Sequence, residues 1–161
     1  MDDRISRHGG ALTALRCKVA LASAHLAYAA FLDMARTDRW RALEAKGAKP
    51  QRLLWASTGT KNPEYSDVLY VDSLIGPDTI TTVPPATLWL FEDHGRVSRT
   101  LGEDDAAEAR RLMKALADGG IDFADVNHTL EDAGIEKFIK SFDSLLDVIA
   151  SRRRALWAGL D

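Results

Sequence analysis

Cysteine is almost missing from this 161-residue chain; Cys17 stands alone. That excludes an internal disulfide and a cysteine-based metal site, and it suits a reducing compartment, so a cytoplasmic location is expected. The four histidines, His8, His25, His94 and His128, lack metal-ligand spacing, and no metal site is expected. No glycine-rich nucleotide fingerprint occurs, and no cofactor is expected. Charge of one sign is also missing. The net charge is −3, with no basic excess for nucleic acid and no polybasic tract for an anionic membrane surface. The longest apolar stretch, Val19 to Leu32, is broken by Ser23 and His25 and is too short to span a bilayer. The polar start Met1-Asp2-Asp3-Arg4 has no apolar signal core, so secretion is not expected. Internal repeats and low-complexity segments are absent.

What remains is a globular balance of 46% apolar and 28% charged residues. Residues 1–10, ending in Gly9-Gly10, read as disordered, within one domain spanning 1–161. Leu12, Leu15, Val19, Ala22, Leu26 and Ala29 recur every three or four positions, which predicts a long helix from about Ala11 to Arg36. Its many alanines favour helix. Asp38 reads as the cap of a short helix, Arg39 to Lys46, stopped by Gly47.

The period then changes. Leu53-Leu54-Trp55-Ala56 is a short apolar run between Pro50 and Ser57-Thr58-Gly59-Thr60 and predicts a buried strand with a loop at its C-terminal end. A short helix is expected from Tyr65 to Leu74. Asp78 to Val83, rich in β-branched residues, predicts a second strand, and Pro85 opens a helix through His94. Helices follow over Glu103 to Ala117, over Phe123 to Asp132 with Asp122 as cap, and over Ile135 to Trp157 after Gly134. Phe138, Phe142, Leu145, Leu146 and Ile149 form the apolar stripe of the last. Two strands alternating with helices imply parallel pairing through crossovers. Two parallel strands cannot cover both faces and both edges by themselves, and a complete (β/α)8 barrel takes about 250 residues. The expected fold is therefore α/β: a late portion of a (β/α)8 TIM barrel, about two parallel strands with flanking and C-terminal helices.

The run Pro50-Gln51-Arg52-Leu53-Leu54-Trp55-Ala56-Ser57-Thr58-Gly59-Thr60-Lys61-Asn62-Pro63 resembles the late-barrel segment of bacterial transaldolases, above all the longer subfamily of actinobacteria and cyanobacteria. The resemblance continues, in the same order, through Ile75-Gly76-Pro77-Asp78-Thr79, Pro84-Pro85-Ala86-Thr87-Leu88 and Asp93-His94-Gly95, and through Leu130-Glu131-Asp132-Ala133-Gly134-Ile135-Glu136-Lys137-Phe138. Ala24-His25-Leu26-Ala27-Tyr28 is similar as well, so the match covers roughly residues 11 to 157. It implies the C-terminal part of an enzyme that moves a dihydroxyacetone unit between sugar phosphates, in the pentose phosphate pathway, as a Schiff base on a lysine. In the family that lysine and its carboxylates lie on strands of the first half of the barrel. The chain is therefore expected to lack the Schiff-base lysine and to need a missing N-terminal barrel half. The alternative is a non-catalytic barrel remnant that binds a sugar phosphate or another protein, or associates with itself.

Four residues are the candidates for substrate contact. Ser57, at the strand end, offers a hydroxyl; Lys61 offers a point charge to a phosphate; Asn62 offers amide donors. Gly59 lets the loop turn tightly and present N–H groups to an anion. The resemblance places a serine and a basic residue here in those roles, and it implies a second phosphate-binding arginine further on, for which Arg99 is the candidate. The plainer readings stand beside these: a turn serine, a solvated lysine, an Asn-Pro turn former and a surface arginine. Cys17 reads as a small packing residue rather than a nucleophile.

Overall fold

A computed structural model describes residues 1–102 and 105–159. They divide into two compact units, Met1–Ile121 and Asp122–Asp161.

In the first unit the chain begins with a helix, α1 (Asp2–His8), on which Ile5 is fully buried. Residues 2–8 are helical here, within the segment 1–10 that reads as disordered in the sequence. Asp2 and Asp3 sit in the first turn and Arg7 and His8 in the last, the arrangement that the helix dipole favours. A 3-10 turn, Gly10–Leu15, follows and packs on α1. The helix expected from residue 11 begins only at Val19 (α2, Val19–Ala35). The interruption lies at Cys17, whose φ is 66°, and its N–H donates to the Asp2 carboxylate at 3.3 and 3.4 Å. Thr37 then ends one helix and starts another. Its hydroxyl donates to Met34 O (2.8 Å) and accepts from Trp40 N–H (3.3 Å), so Thr37, not Asp38, caps α3 (Asp38–Glu44).

The strands are β1 (Leu53–Trp55) and β2 (Thr79–Thr81), joined through α4 (Leu69–Ser73) and paired in parallel with Leu53, Leu54 and Trp55 opposite Thr79, Ile80 and Thr81. The ladder is lengthened at both ends, by Leu53 N–H to Asp78 O (3.2 Å) and Thr82 N–H to Trp55 O (2.9 Å). Because side chains alternate along a strand, Leu53 and Trp55 share one face and pack against the core of Tyr28, Phe31, Leu74 and Leu101. Leu54 and Ile80, on the other face, remain exposed. A parallel sheet in isolation has no reason to put apolar side chains on both faces.

Tyr28 organises that core. Its ring stacks on Phe31 at 6.4 Å and its hydroxyl donates to Pro77 O (3.2 Å), tying α2 to the turn before β2. Helix α5 (Pro85–His94) opens on Pro85, where a missing N–H costs nothing. The segment after it returns to the core through Thr100, whose hydroxyl donates to Asp72 O and accepts from Ile75 N–H. Leu101 seals against Gly76; a Cβ there would lie 2.7 Å from that of Leu101. Helix α6 (Asp105–Asp118) packs along α2.

The second unit is one helix, α7 (Phe123–Ala158), capped by Asp122, whose carboxylate accepts Ala124 N–H at 2.8 Å. It runs unbroken through Gly134, where the sequence suggested a separation. A mid-helix glycine costs about 1 kcal/mol, which long flanking helical segments absorb. The apolar stripe of Phe138, Phe142, Leu145, Leu146 and Ile149 is exposed along its whole length. No helix among the described residues is long and apolar enough to cross a membrane.

Candidate functional site

The loop after β1 is shaped by three constraints. Ser57 takes a left-handed backbone (φ 58°), which a non-glycine residue adopts at a cost of about 1–3 kcal/mol. Thr58 is buried and its hydroxyl donates to Thr82 O at 2.7 Å, binding this loop to the end of β2. Gly59 lies so close to the start of α5 that a Cβ would come within 3.2 Å of Thr87 Oγ1 and 3.5 Å of Pro84 Cγ. The glycine thus has a packing role here besides its freedom to turn.

The loop lines a cavity of about 790 Å³, bounded by Trp55 to Asn62 on one side and by Met1, Asp2, Cys17, Tyr65 and Tyr70 among others. It opens at the C-terminal end of β1, where α/β proteins place their ligands. Ser57, Lys61 and Asn62 are brought together at its wall. Among the described residues Lys61 makes no hydrogen bond or ion pair, and it is exposed. Its ammonium is free for an anion. Asn62 is partly committed: its side-chain oxygen accepts Glu64 N–H (3.0 Å) and its backbone oxygen accepts Tyr65 N–H (3.2 Å), an Asx turn that leaves only the amide nitrogen. Lys61 and Asn62 also border a shallower cleft of about 460 Å³ with Ser66 and Asp67. Arg99 does not line the cavity. It is exposed, and its Nε donates to Leu101 O at 3.2 Å.

The opposite wall was not legible from the sequence. Tyr65 donates its hydroxyl to Asp2 at 2.6 Å, and Arg16 pairs with Glu64 at 2.8 Å, so two bonds hold the turn after Asn62 against the first seventeen residues. The hydrogen bond to Asp2, and then burial, push the Tyr65 phenol above its usual range. Burial, then Asp2, pushes the Cys17 thiol up as well, which keeps it protonated and unsuited to attack. Tyr70 is raised by burial first. Trp55 Nε1 and Thr60 Oγ1 are enclosed without a hydrogen-bond partner among the described residues. Among the described residues no group of three or more His, Cys, Asp or Glu side chains is gathered to hold a metal.

A lysine-bearing loop that ends a parallel strand and faces a cavity, with a helix-packed sheet behind it, is the arrangement of an α/β enzyme site. The chain belongs to the transaldolase/fructose-6-phosphate aldolase family, whose model matches residues 1–149. It is 48% identical over 144 residues to a transaldolase of Thermobifida fusca, covering 88% of this chain and 39% of that relative. It is 45% identical over 148 residues to transaldolase 2 of a Nostoc species, covering 90% of this chain and 38% of the relative. A transaldolase of Mycolicibacterium smegmatis is 47% identical over 148 residues, 91% of this chain and 40% of its own length. The chain thus spans about two-fifths of the length of these curated relatives.

Proposed function

We propose that these residues form the C-terminal portion of a transaldolase, a late segment of a TIM barrel, which binds the sugar phosphate while chemistry is carried elsewhere in the complete barrel. The observation that carries this reading is the Ser57–Asn62 loop: it follows the C-terminal end of a parallel strand, the end at which barrels bind ligands, and it presents a lysine without a partner among the described residues to a cavity. Lys61 takes the substrate phosphate, Ser57 a substrate hydroxyl, and the Asn62 amide nitrogen a further oxygen. Arg99 joins only if its loop swings from Leu101 O toward the phosphate. The reaction is transfer of a dihydroxyacetone unit between sugar phosphates in the pentose phosphate pathway, in the cytoplasm.

The Schiff-base lysine belongs to another part of the barrel. Such a lysine must be kept unprotonated, by burial in a dry pocket or by a neighbouring cation. All seven lysines here, 18, 46, 49, 61, 114, 137 and 140, are exposed. The open apolar face of Leu54 and Ile80 fits the same reading, since further barrel strands and side chains would cover it.

Borohydride trapping with fructose 6-phosphate, followed by peptide mapping, tests the assignment. These 161 residues should give no adduct, and addition of the N-terminal barrel half of the Thermobifida relative should restore one on that half. An adduct on Lys61 with turnover would refute it. Phosphate binding without any restored adduct would instead favour a non-catalytic remnant.

A further inference from the structure

The exposed stripe on α7 has a heptad period. Ile135, Phe142, Ile149 and Leu156 stand seven apart, and Phe138 and Leu145 stand three after the first two. These are the a and d positions of a coiled-coil seam. All six are at least half exposed, with Phe138 at 80% and Leu156 at 71%. The Phe138 and Leu145 register continues at both ends into charge. Seven residues before Phe138 is Glu131, with Asp132 beside it; seven after Leu145 is Arg152, with Arg153 beside it. All four are exposed. The apolar seam is therefore bracketed by an acidic pair at one end and, three heptads on, a basic pair at the other.

We propose that this face is a pairing surface for α7 of a second copy of the chain, running antiparallel. A two-fold axis across the middle of the seam sets Arg152 and Arg153 of one copy beside Glu131 and Asp132 of the other, at both ends at once. That self-complementarity is what an isologous contact requires. Parallel pairing would stack acid on acid and base on base. The apolar residues supply the adhesion; exposed ion pairs contribute little to strength but choose the orientation. The proposal uses no residue of the β1 loop, so its test and that of the transaldolase reading can fail separately.

Sedimentation equilibrium of the 161-residue chain tests it. The wild-type chain should be a dimer at tens of micromolar. Phe142→Asp should make it monomeric. The pair Arg152→Glu with Arg153→Glu should weaken association at least about tenfold, as should the pair Glu131→Arg with Asp132→Arg. All four changes in one chain should restore it, since antiparallel pairing is complementary again. Circular dichroism of each variant confirms that α7 stays helical; all the changes are at exposed positions. A monomeric wild-type chain would overturn the proposal. So would a dimer indifferent to Phe142→Asp, or one for which the charge reversals and their combination do not matter. So, too, would a one-to-one complex with the N-terminal half of the Thermobifida transaldolase that buries this seam and abolishes self-association.

Discussion

Asp2 accepts a hydrogen bond from the hydroxyl of Tyr65 at 2.6 Å, across 63 positions of sequence. The same carboxylate receives the Cys17 N–H, so one acidic side chain fixes α1, the left-handed turn at Cys17 and the far wall of the cavity. Tyr65→Phe removes this bond and the hydroxyl's interaction with Arg16, and keeps the ring. The expected outcome is several-fold faster amide exchange over residues 2–8 and near residue 17, with the β1–β2 pairing unchanged. Hydrogen exchange read by mass spectrometry checks it; unchanged protection in the variant would show that Ile5 and the Cys17 N–H bond to Asp2 hold α1 down without Tyr65.

Thr58 is the corresponding fastener on the other wall. Thr58→Val keeps the shape and deletes the donor to Thr82 O. A buried hydroxyl bond of this kind is worth about 0.5–1.5 kcal/mol, and denaturant unfolding should show a loss of that size. The loop it steadies carries Ser57 and Lys61, so affinity for inorganic phosphate should fall too. Lys61→Ala should abolish that affinity while leaving stability within about 0.5 kcal/mol, since Lys61 is an exposed side chain without a partner among the described residues. Calorimetry of phosphate binding to the three chains separates loop order from charge.

The strands, their parallel pairing and the loop after β1 were legible because β-branched and apolar runs bounded by Pro, Gly and Ser leave few other readings. The parallel pair β1–β2 and α5 opening on Pro85 follow the sequence closely. The start of α2 did not follow it, because alanine-rich periodicity carries no mark of the Asp2 bond that breaks the helix at Cys17. Likewise Ser57, Lys61 and Asn62 stand in one run and were found together, whereas Asp2 and Tyr65 meet only through the fold. Arg99 stands apart from that run, and its Nε donates to the Leu101 carbonyl, a bond that no local sequence pattern marks. Gly134 reads as a break by residue type, yet its neighbours on both sides are helical and the helix continues.

Gly76→Ala should cost about 1–3 kcal/mol, the usual range for overpacking a tight core. The added methyl would meet Leu101 Cβ at 2.7 Å, and Leu101 is almost fully buried among Tyr28, Phe31 and Leu74. Leu101→Ala alone should cost about 2–5 kcal/mol, and it leaves the worst contact in place, because alanine keeps the Cβ at 2.7 Å while Cδ1 at 3.2 Å is only tight and Cγ at 3.5 Å is ordinary contact. In the Leu101→Ala background the glycine substitution should therefore keep most of its cost. Thermal unfolding of the four chains gives the coupling; a glycine substitution that became nearly free in that background would mean that the outer Leu101 side chain, not its Cβ, resists the methyl.

His94 predicts a pH dependence whose sign can be fixed. Its Nε2 lies 2.9 Å from Asp67 and its Nδ1 3.1 Å from Asp93. A neutral imidazole has one N–H, so only the imidazolium donates to both carboxylates. The bond to Asp67 first, then that to Asp93, raises the pKa above the ordinary 6.5, against a smaller lowering by burial. A raised folded-state value means that the native chain holds the proton more tightly than the unfolded one. The stabilisation is complete below about 6.5, shrinks as pH rises through the folded-state value, and is gone above it. Both partners are exposed and screened by salt, so the effect is modest. His94→Gln removes the charge and keeps a polar group. The difference in melting temperature, wild type minus variant, should be positive near pH 5.5, fall steadily through neutrality and flatten toward zero on the alkaline side; 1 M salt should reduce the acid-side difference. Titrations common to both chains cancel in that subtraction, so a difference that grew with pH would mean that the neutral ring, not the imidazolium, is what the fold holds between Asp67 and Asp93.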